Sequence, residues 1–261
     1  MLFLQILLLC SVVSSIGFKK FIYFITYGYG FSIAASGVFL LITQKNLTVE
    51  EIILGILYIA YGLRLGLFLL IRNIRSTYLT KMKGQFKKHE DFKLSAVIII
   101  WVFCAILYSC QVSPLIFRIL SPEKDKLLLY IGVIISLIGL YIEQEADNQK
   151  SKAKKDNPNR FVDTGLYRFC RCPNYFGEII FWTGSFIGGM KIYHGFFQWF
   201  LALLGYIGII YIMFSGARRI EINHNKNYGK DPQYKEYAKK TPILIPFLPI
   251  YSVERFEWLR G

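Results

Sequence analysis

Histidine, cysteine and acidic side chains are in short supply in this sequence. Its 3 histidines, His89, His194 and His224, stand far apart. The 5 cysteines, Cys10, Cys104, Cys110, Cys170 and Cys172, form no disulfide framework, and Cys170-x-Cys172 has one residue where metal-binding pairs have two or more. A zinc or haem site is therefore not expected, nor is a Ser-His-Asp hydrolase. There is no glycine-rich dinucleotide fingerprint of the Rossmann type. Charged residues are only 18% of the chain, against about a quarter in a soluble domain. The basic loops hold no nucleic-acid reading module, so nucleic acid is not an expected partner.

What the chain has is apolar length. Apolar residues make up 54% of it, and a helix crosses lipid with about 20 residues. Seven runs qualify as candidate spans: 2–17, 21–43, 52–71, 94–120, 127–143, 176–190 and 195–214. The sixth is short and could be tilted or partly buried in protein. The expected fold is an all-α polytopic membrane protein of about seven transmembrane helices. The first run reads as a span, with a cleaved signal peptide as the alternative. It has no basic stretch ahead of it, and Lys19–Lys20 follow it.

Of the 31 lysines and arginines, all but Lys45, Arg64, Arg118, Lys124, Lys126 and Lys191 lie in segments that follow odd-numbered runs. The positive-inside rule then puts the N-terminus outside and the C-terminus in the cytosol. The net charge of +14 fits basic loops facing anionic headgroups, and a pocket for a phosphorylated ligand is compatible with it. The sequon Asn46-Leu47-Thr48 hugs the outer surface too closely to be used. Glu50 and Glu51 are expected in the loop before the third run, so the first two runs hold no glutamate.

Ionisable residues inside spans are costly and call for a partner or a wet cavity. Glu178 lies about one turn into the sixth helix, whose start reads from "CPNYFGE" with Pro173 in the first turn. It shares a face with Asn174 and Trp182, a stripe of amide, carboxylate and indole able to bind a carboxamide. Pairing of Glu178 with Arg171 or Arg219, merely closing the bundle, is the alternative. In the third run Tyr61 and Arg64 share a face, and a phenol polarised by a guanidinium suits a general acid; plain aromatic–arginine packing also fits. Glu143 and Asp147, followed by Gln149 and Lys150, could hold ribose hydroxyls and a phosphate, or be a solvated helix end. Arg168, Arg171, Arg218 and Arg219 could grip a diphosphate, or simply mark the cytosolic side.

Together these segments resemble the steroid 5-alpha-reductase family of membrane enzymes. The resemblance rests on "NYFGEIIFW" at 174–182, "EQEADNQK" at 143–150, "YGLR" at 61–64 and "YKEYAKKTPILIPF" at 234–247. It covers most of 60–250 sparsely, and 160–182 is its specific part. The resemblance implies a seven-helix fold with NADPH in its cytosolic half. Asn174 and Glu178 would bind the nicotinamide carboxamide, with Trp182 packed nearby, and Asp147 would hold a ribose or nearby group. Lys150, Lys154, Arg171, His224 and Tyr228 would surround the phosphates and the adenosine end. Tyr61, supported by Arg64, would meet the carbonyl of a lipophilic small-molecule substrate. An N-terminal hairpin, 1–50, would precede a reductase-like part, 51–261. Two departures stand out: Cys172 occupies a position that is often histidine in relatives, and the early-helix glutamate of the steroid enzymes is missing. A membrane methyltransferase using S-adenosylmethionine is the rival, since "YRFCRCPNY" at 167–175 partly matches isoprenylcysteine and phospholipid methyltransferases.

Overall fold

The computed structural model describes residues 1–74 and 93–259. Most of the basic stretch 72–93, with His89, and Arg260 of the tail lie outside the described residues. Among the described residues the regular structure is entirely helical. In chain order the helices are α1 (Leu2–Ser14), α2 (Tyr29–Thr43), α3 (Val49–Ile74), α4 (Leu94–Leu120), α5 (Leu127–Asp156), α6 (Pro173–Gly189), α7 (Gly195–Tyr228) and α8 (Pro232–Lys240). A π-helical turn, Phe24–Gly28, leads into α2.

Among the described residues, five helical stretches are long and apolar enough to cross a membrane: Phe24–Thr43, Val49–Arg72, Leu94–Leu120, Leu127–Asp156 and Gly195–Tyr228. This is the make-up of an integral membrane protein. The other two apolar runs form shorter helices, 13 residues in α1 and 17 in α6. At 1.5 Å per residue these are about 20 and 26 Å long, short of a hydrocarbon core of about 30 Å.

Glu50 and Glu51 correct a sequence expectation. They open α3 and are buried, instead of lying in the preceding loop. Thr48 and Glu51 cap the helix reciprocally, Thr48 N donating to Glu51 Oε2 at 2.8 Å and Glu51 N to Thr48 Oγ1 at 3.4 Å. Lys124 and Lys126 supply the counter-charges, 2.6 Å from Glu51 and 2.8 Å from Glu50.

The chain forms two compact units. The first comprises Met1–Tyr130 and Gly188–Tyr206. In it α2 and α3 touch backbone to backbone at Gly30 and Gly62. A Cβ on Gly62 would lie 2.4 Å from the Gly30 carbonyl oxygen and 2.5 Å from Ala34 N. Close approach of small residues is how helices associate in lipid, where burial of apolar side chains drives nothing.

The second unit comprises Ile131–Ile187 and Ile207–Gly261. Here α5 and α6 pack the same way. Cβ atoms on Gly139, Gly177 and Gly184 would fall 2.4 Å from Phe181 N, 2.6 Å from Glu143 N and 2.3 Å from the Gly132 oxygen. Ser136 Oγ adds a hydrogen bond to the Phe181 carbonyl at 2.8 Å. The polar segment after α5 folds back on it, burying Val162 and Tyr167 against Ala146. The turn depends on Gly165, whose φ is +62°, a conformation that costs other residues strain. Gln149 Oε1 accepts from Leu166 N at 2.8 Å in that turn.

Candidate functional site

Three helices of the second unit carry the site residues, each on one face. On α5, Glu143, Asp147, Lys150 and Lys154 follow one another at steps of four, three and four. On α6, Asn174, Glu178 and Trp182 are four apart. On α7, Glu221, His224 and Tyr228 are three and four apart. Helical side chains at these spacings stack above each other. The Gly177–Glu143 approach sets the register between α5 and α6, so the turn bearing Glu178 lies against the turn bearing Glu143.

The inner end of this group is buried and acidic. Glu143 is 3% exposed, Asp147 5%, Glu178 5% and Trp182 2%. Phe181 meets Trp182 edge-on at 5.1 Å. Asp147 lies close enough to Tyr167 to act with burial, the larger cause, in raising that phenol well above the usual range. Tyr167 therefore stays a neutral donor, and its hydroxyl reaches the Ala146 carbonyl at 3.3 Å.

The outer end is basic and aromatic. Lys154 Nζ donates to Tyr228 Oη at 2.9 Å and to the Pro158 carbonyl at 3.3 Å, and also reaches the Arg160 carbonyl. It lies over the Tyr228 ring at 5.2 Å. His224 packs edge-on to Tyr228 and Tyr234 at 5.5 and 6.3 Å. Lys150, Lys154 and Arg171 share its electrostatic neighbourhood. Lys150, Lys154, Arg171, His224 and Tyr228, scattered over the sequence, are thus brought together.

Arg171 proves to be a tether as well as a cation. Its guanidinium pairs with Glu221 at 2.9 Å, both side chains 3% exposed, and also donates to the Tyr251 carbonyl. Its backbone N–H donates to the Pro242 carbonyl at 2.9 Å. Glu221 Oε2 accepts from Val253 N at 2.8 Å and Glu254 N at 3.0 Å. The start of α6 is thereby tied to the tail. Of the other arginines, Arg168 is exposed, and Arg218 Nε donates to the Glu254 carbonyl at 3.0 Å. Burial pushes the Cys172 thiol up to about 11 against the pull of Lys150 and Arg171. It is a neutral side chain beside these two cations.

Tyr61 and Arg64 belong to the first unit. Tyr61 is fully buried, and its hydroxyl lies 2.8 Å from that of Tyr29. The Gly30–Gly62 approach explains this, since each phenol is the residue next to a contact glycine. Arg64 is half-buried, with its guanidinium 5.5 Å from the Phe68 ring. Gln111 Nε2 donates to Tyr29 Oη at 3.4 Å. The signal for Tyr29 and Gln111 was available: a phenol and an amide inside apolar runs demand hydrogen-bond partners.

Among known proteins, the family described as "Protein of unknown function (DUF1295)" matches residues 12–241. The steroid 5-alpha-reductase of Arabidopsis thaliana is 27% identical over 123 residues, 45% of this chain and 41% of that protein. The 3-oxo-5-alpha-steroid 4-dehydrogenase 1 of Bos taurus is 26% identical over 119 residues, again 45% of this chain and 41% of that protein. The matched part spans less than half the length of these curated relatives. No solved structure matches. With the family match running over most of its length, the chain belongs to the DUF1295 family and is steroid 5-alpha-reductase-like.

Proposed function

We propose that this protein is a membrane oxidoreductase that uses NADPH to reduce a carbon–carbon double bond conjugated to a carbonyl in a lipophilic, steroid- or lipid-like substrate. One observation carries the proposal: Asn174, Glu178 and Trp182 form one stripe on α6 beside the acidic face of α5, with Glu178 and Trp182 buried and Asn174 half-buried at its outer end. The donor set fits the coenzyme. A carboxylate and an amide suit a carboxamide. Asp147 suits ribose hydroxyls, and Lys150, Lys154, His224 and Tyr228 suit phosphates and an adenine face. Arg171 serves from behind, its pair with Glu221 fixing the tail and the start of α6. The relatives named as a steroid 5-alpha-reductase and a 3-oxo-5-alpha-steroid 4-dehydrogenase support the same reaction class.

When bound, the coenzyme supplies the hydride that the β-carbon accepts. The double-bond electrons then move toward the carbonyl, and negative charge develops on its oxygen. Tyr61 donates a hydrogen bond to that oxygen, with Arg64 supporting it, an interaction worth a few kcal/mol in a water-poor site. The α-carbon takes its proton from Tyr61 or from water, which completes the reduction. An apolar substrate enters sideways from lipid.

The proposal includes seven spans with the N-terminus outside and the C-terminus cytosolic, an N-terminal hairpin over 1–50 and a reductase-like part over 51–261. The membrane is that of the endoplasmic reticulum in a eukaryote and the cytoplasmic membrane in a bacterium. Glu178→Gln is the test. It keeps the shape and removes the acceptor pair, so NADPH affinity and turnover fall together. Thermal stabilisation of the purified protein, measured with NADPH and with S-adenosylmethionine, separates the reductase from the methyltransferase, because the true ligand raises the melting temperature. Stabilisation by S-adenosylmethionine alone, or a Glu178→Gln variant with unchanged NADPH affinity, would refute the proposal.

A further inference from the structure

Three interior side chains of the first unit form a hydrogen-bonded chain that crosses three helices. Gln111 on α4 donates through Nε2 to Tyr29 on α2 at 3.4 Å, and Tyr29 and Tyr61 on α3 share a hydrogen at 2.8 Å. All three are buried; Gln111 is 2% exposed. Backbone contacts hold the chain at both ends. Gly30 meets Gly62 beside the two phenols, and a Cβ on Gly205 would lie 2.7 Å from Gln111 N. Tyr108 stacks on Tyr29 at 5.2 Å, while its own hydroxyl is engaged by the Phe24 carbonyl at 2.8 Å.

The chain has a direction. An amide nitrogen only donates, so Gln111 takes up a lone pair on Tyr29 Oη. Tyr61 has one proton, so once it is given to a carbonyl the hydrogen shared by the two phenols comes from Tyr29. A hydroxyl that accepts a hydrogen bond becomes a better donor of its own proton. Packing alone does not account for Gln111, because its Oε1 is buried and accepts no hydrogen bond. Such an orphaned acceptor costs stability that a leucine at the same place would not.

We propose that Gln111 and Tyr29 are positioning residues that orient and polarise the Tyr61 hydroxyl toward the substrate carbonyl. This rests on the role given to Tyr61 above. The tests use purified full-length protein, NADPH and a 3-oxo-4-ene steroid as the probe substrate, with turnover followed by loss of NADPH fluorescence. Tyr29→Phe lowers kcat roughly ten- to a hundredfold, as expected for one lost hydrogen bond to the donor, with KM and the NADPH-induced rise in melting temperature retained. Gln111→Leu lowers kcat by a smaller factor. Added to Tyr61→Phe, Tyr29→Phe costs nothing further, because the chain then has nothing to act on. Should Tyr29→Phe fail to fold, Gln111→Met gives the same readout, a lower kcat with KM retained. Unchanged kcat in Tyr29→Phe beside a crippled Tyr61→Phe, or additive losses in the double variant, overturns the chain alone. A fully active Tyr61→Phe, or wild-type protein that leaves the probe unreduced, overturns the role of Tyr61 and the chain with it.

Discussion

Glu221→Leu strands a cation. In the native protein the Arg171 guanidinium is 2.9 Å from Glu221, with both side chains 3% exposed. Glu221 also receives the Val253 and Glu254 amides at 2.8 and 3.0 Å. Removing one partner of a buried ion pair costs about 3–5 kcal/mol, mostly because the remaining charge is left without compensation. For a chain of this size each kcal/mol moves the melting temperature by about 2–4 °C, so a fall of roughly 6–20 °C is expected. Pairing the change with Arg171→Leu recovers part of the loss, since no charge is stranded and two leucines can pack together. Melting of the single and double variants in detergent micelles gives the coupling. Hydrogen exchange at Val253 and Glu254 locates it, because both amides lose their acceptor. An unmoved melting temperature, a double variant no better than the single, or unchanged exchange at those amides would refute the tether.

Gly177→Ala places a Cβ 2.6 Å from Glu143 N and 2.7 Å from the Gly139 carbonyl. Backbone cannot yield as a side chain can, so the helices part at a cost of about 1–3 kcal/mol, and NADPH titration shows weaker binding. Gly165→Ala forces a φ of +62° on an alanine and sets its Cβ 2.2 Å from the Gln149 amide oxygen. It lowers stability by at least about 1–2 kcal/mol, read as a lower melting temperature. The Cys172 thiol, pushed up to about 11 by burial, is about a thousandth thiolate at pH 8 and resists iodoacetamide until the protein unfolds. Its folded value lies above its ordinary one of 9.0. Its contribution to stability is therefore full below about pH 9 and is lost as pH rises through about 11, which melting curves across that range will show.

Local features of the fold were legible in the sequence. Pro173 opens α6 as a first-turn proline should, α5 runs on to Asp156 through good helix formers, and α7 continues to Tyr228. Glu50 and Glu51 misled because acids ahead of an apolar run look like a loop. The positive end of a helix favours such acids, and their lysine partners lie more than 70 residues away in sequence. The acidic and amide stripe of the site was visible because period 3.6 displays it. The Arg171–Glu221 pair and the Tyr29–Tyr61 contact were not. Each joins residues from distant segments, and the meeting of the two tyrosines is decided by which glycines let two backbones touch.

The length of α5 and α7 carries a last consequence. With 30 and 34 residues, they are about 45 and 51 Å long, some 15–20 Å more than the hydrocarbon they cross. Their far ends, bearing Lys154 and Tyr228, are rigid levers whose fulcrum lies in the lipid. A lean of about 10°, well within what a change of bilayer thickness imposes, swings each tip by about 3 Å. Under the proposed function, a phosphate held at those tips would be gripped according to the thickness of the surrounding membrane.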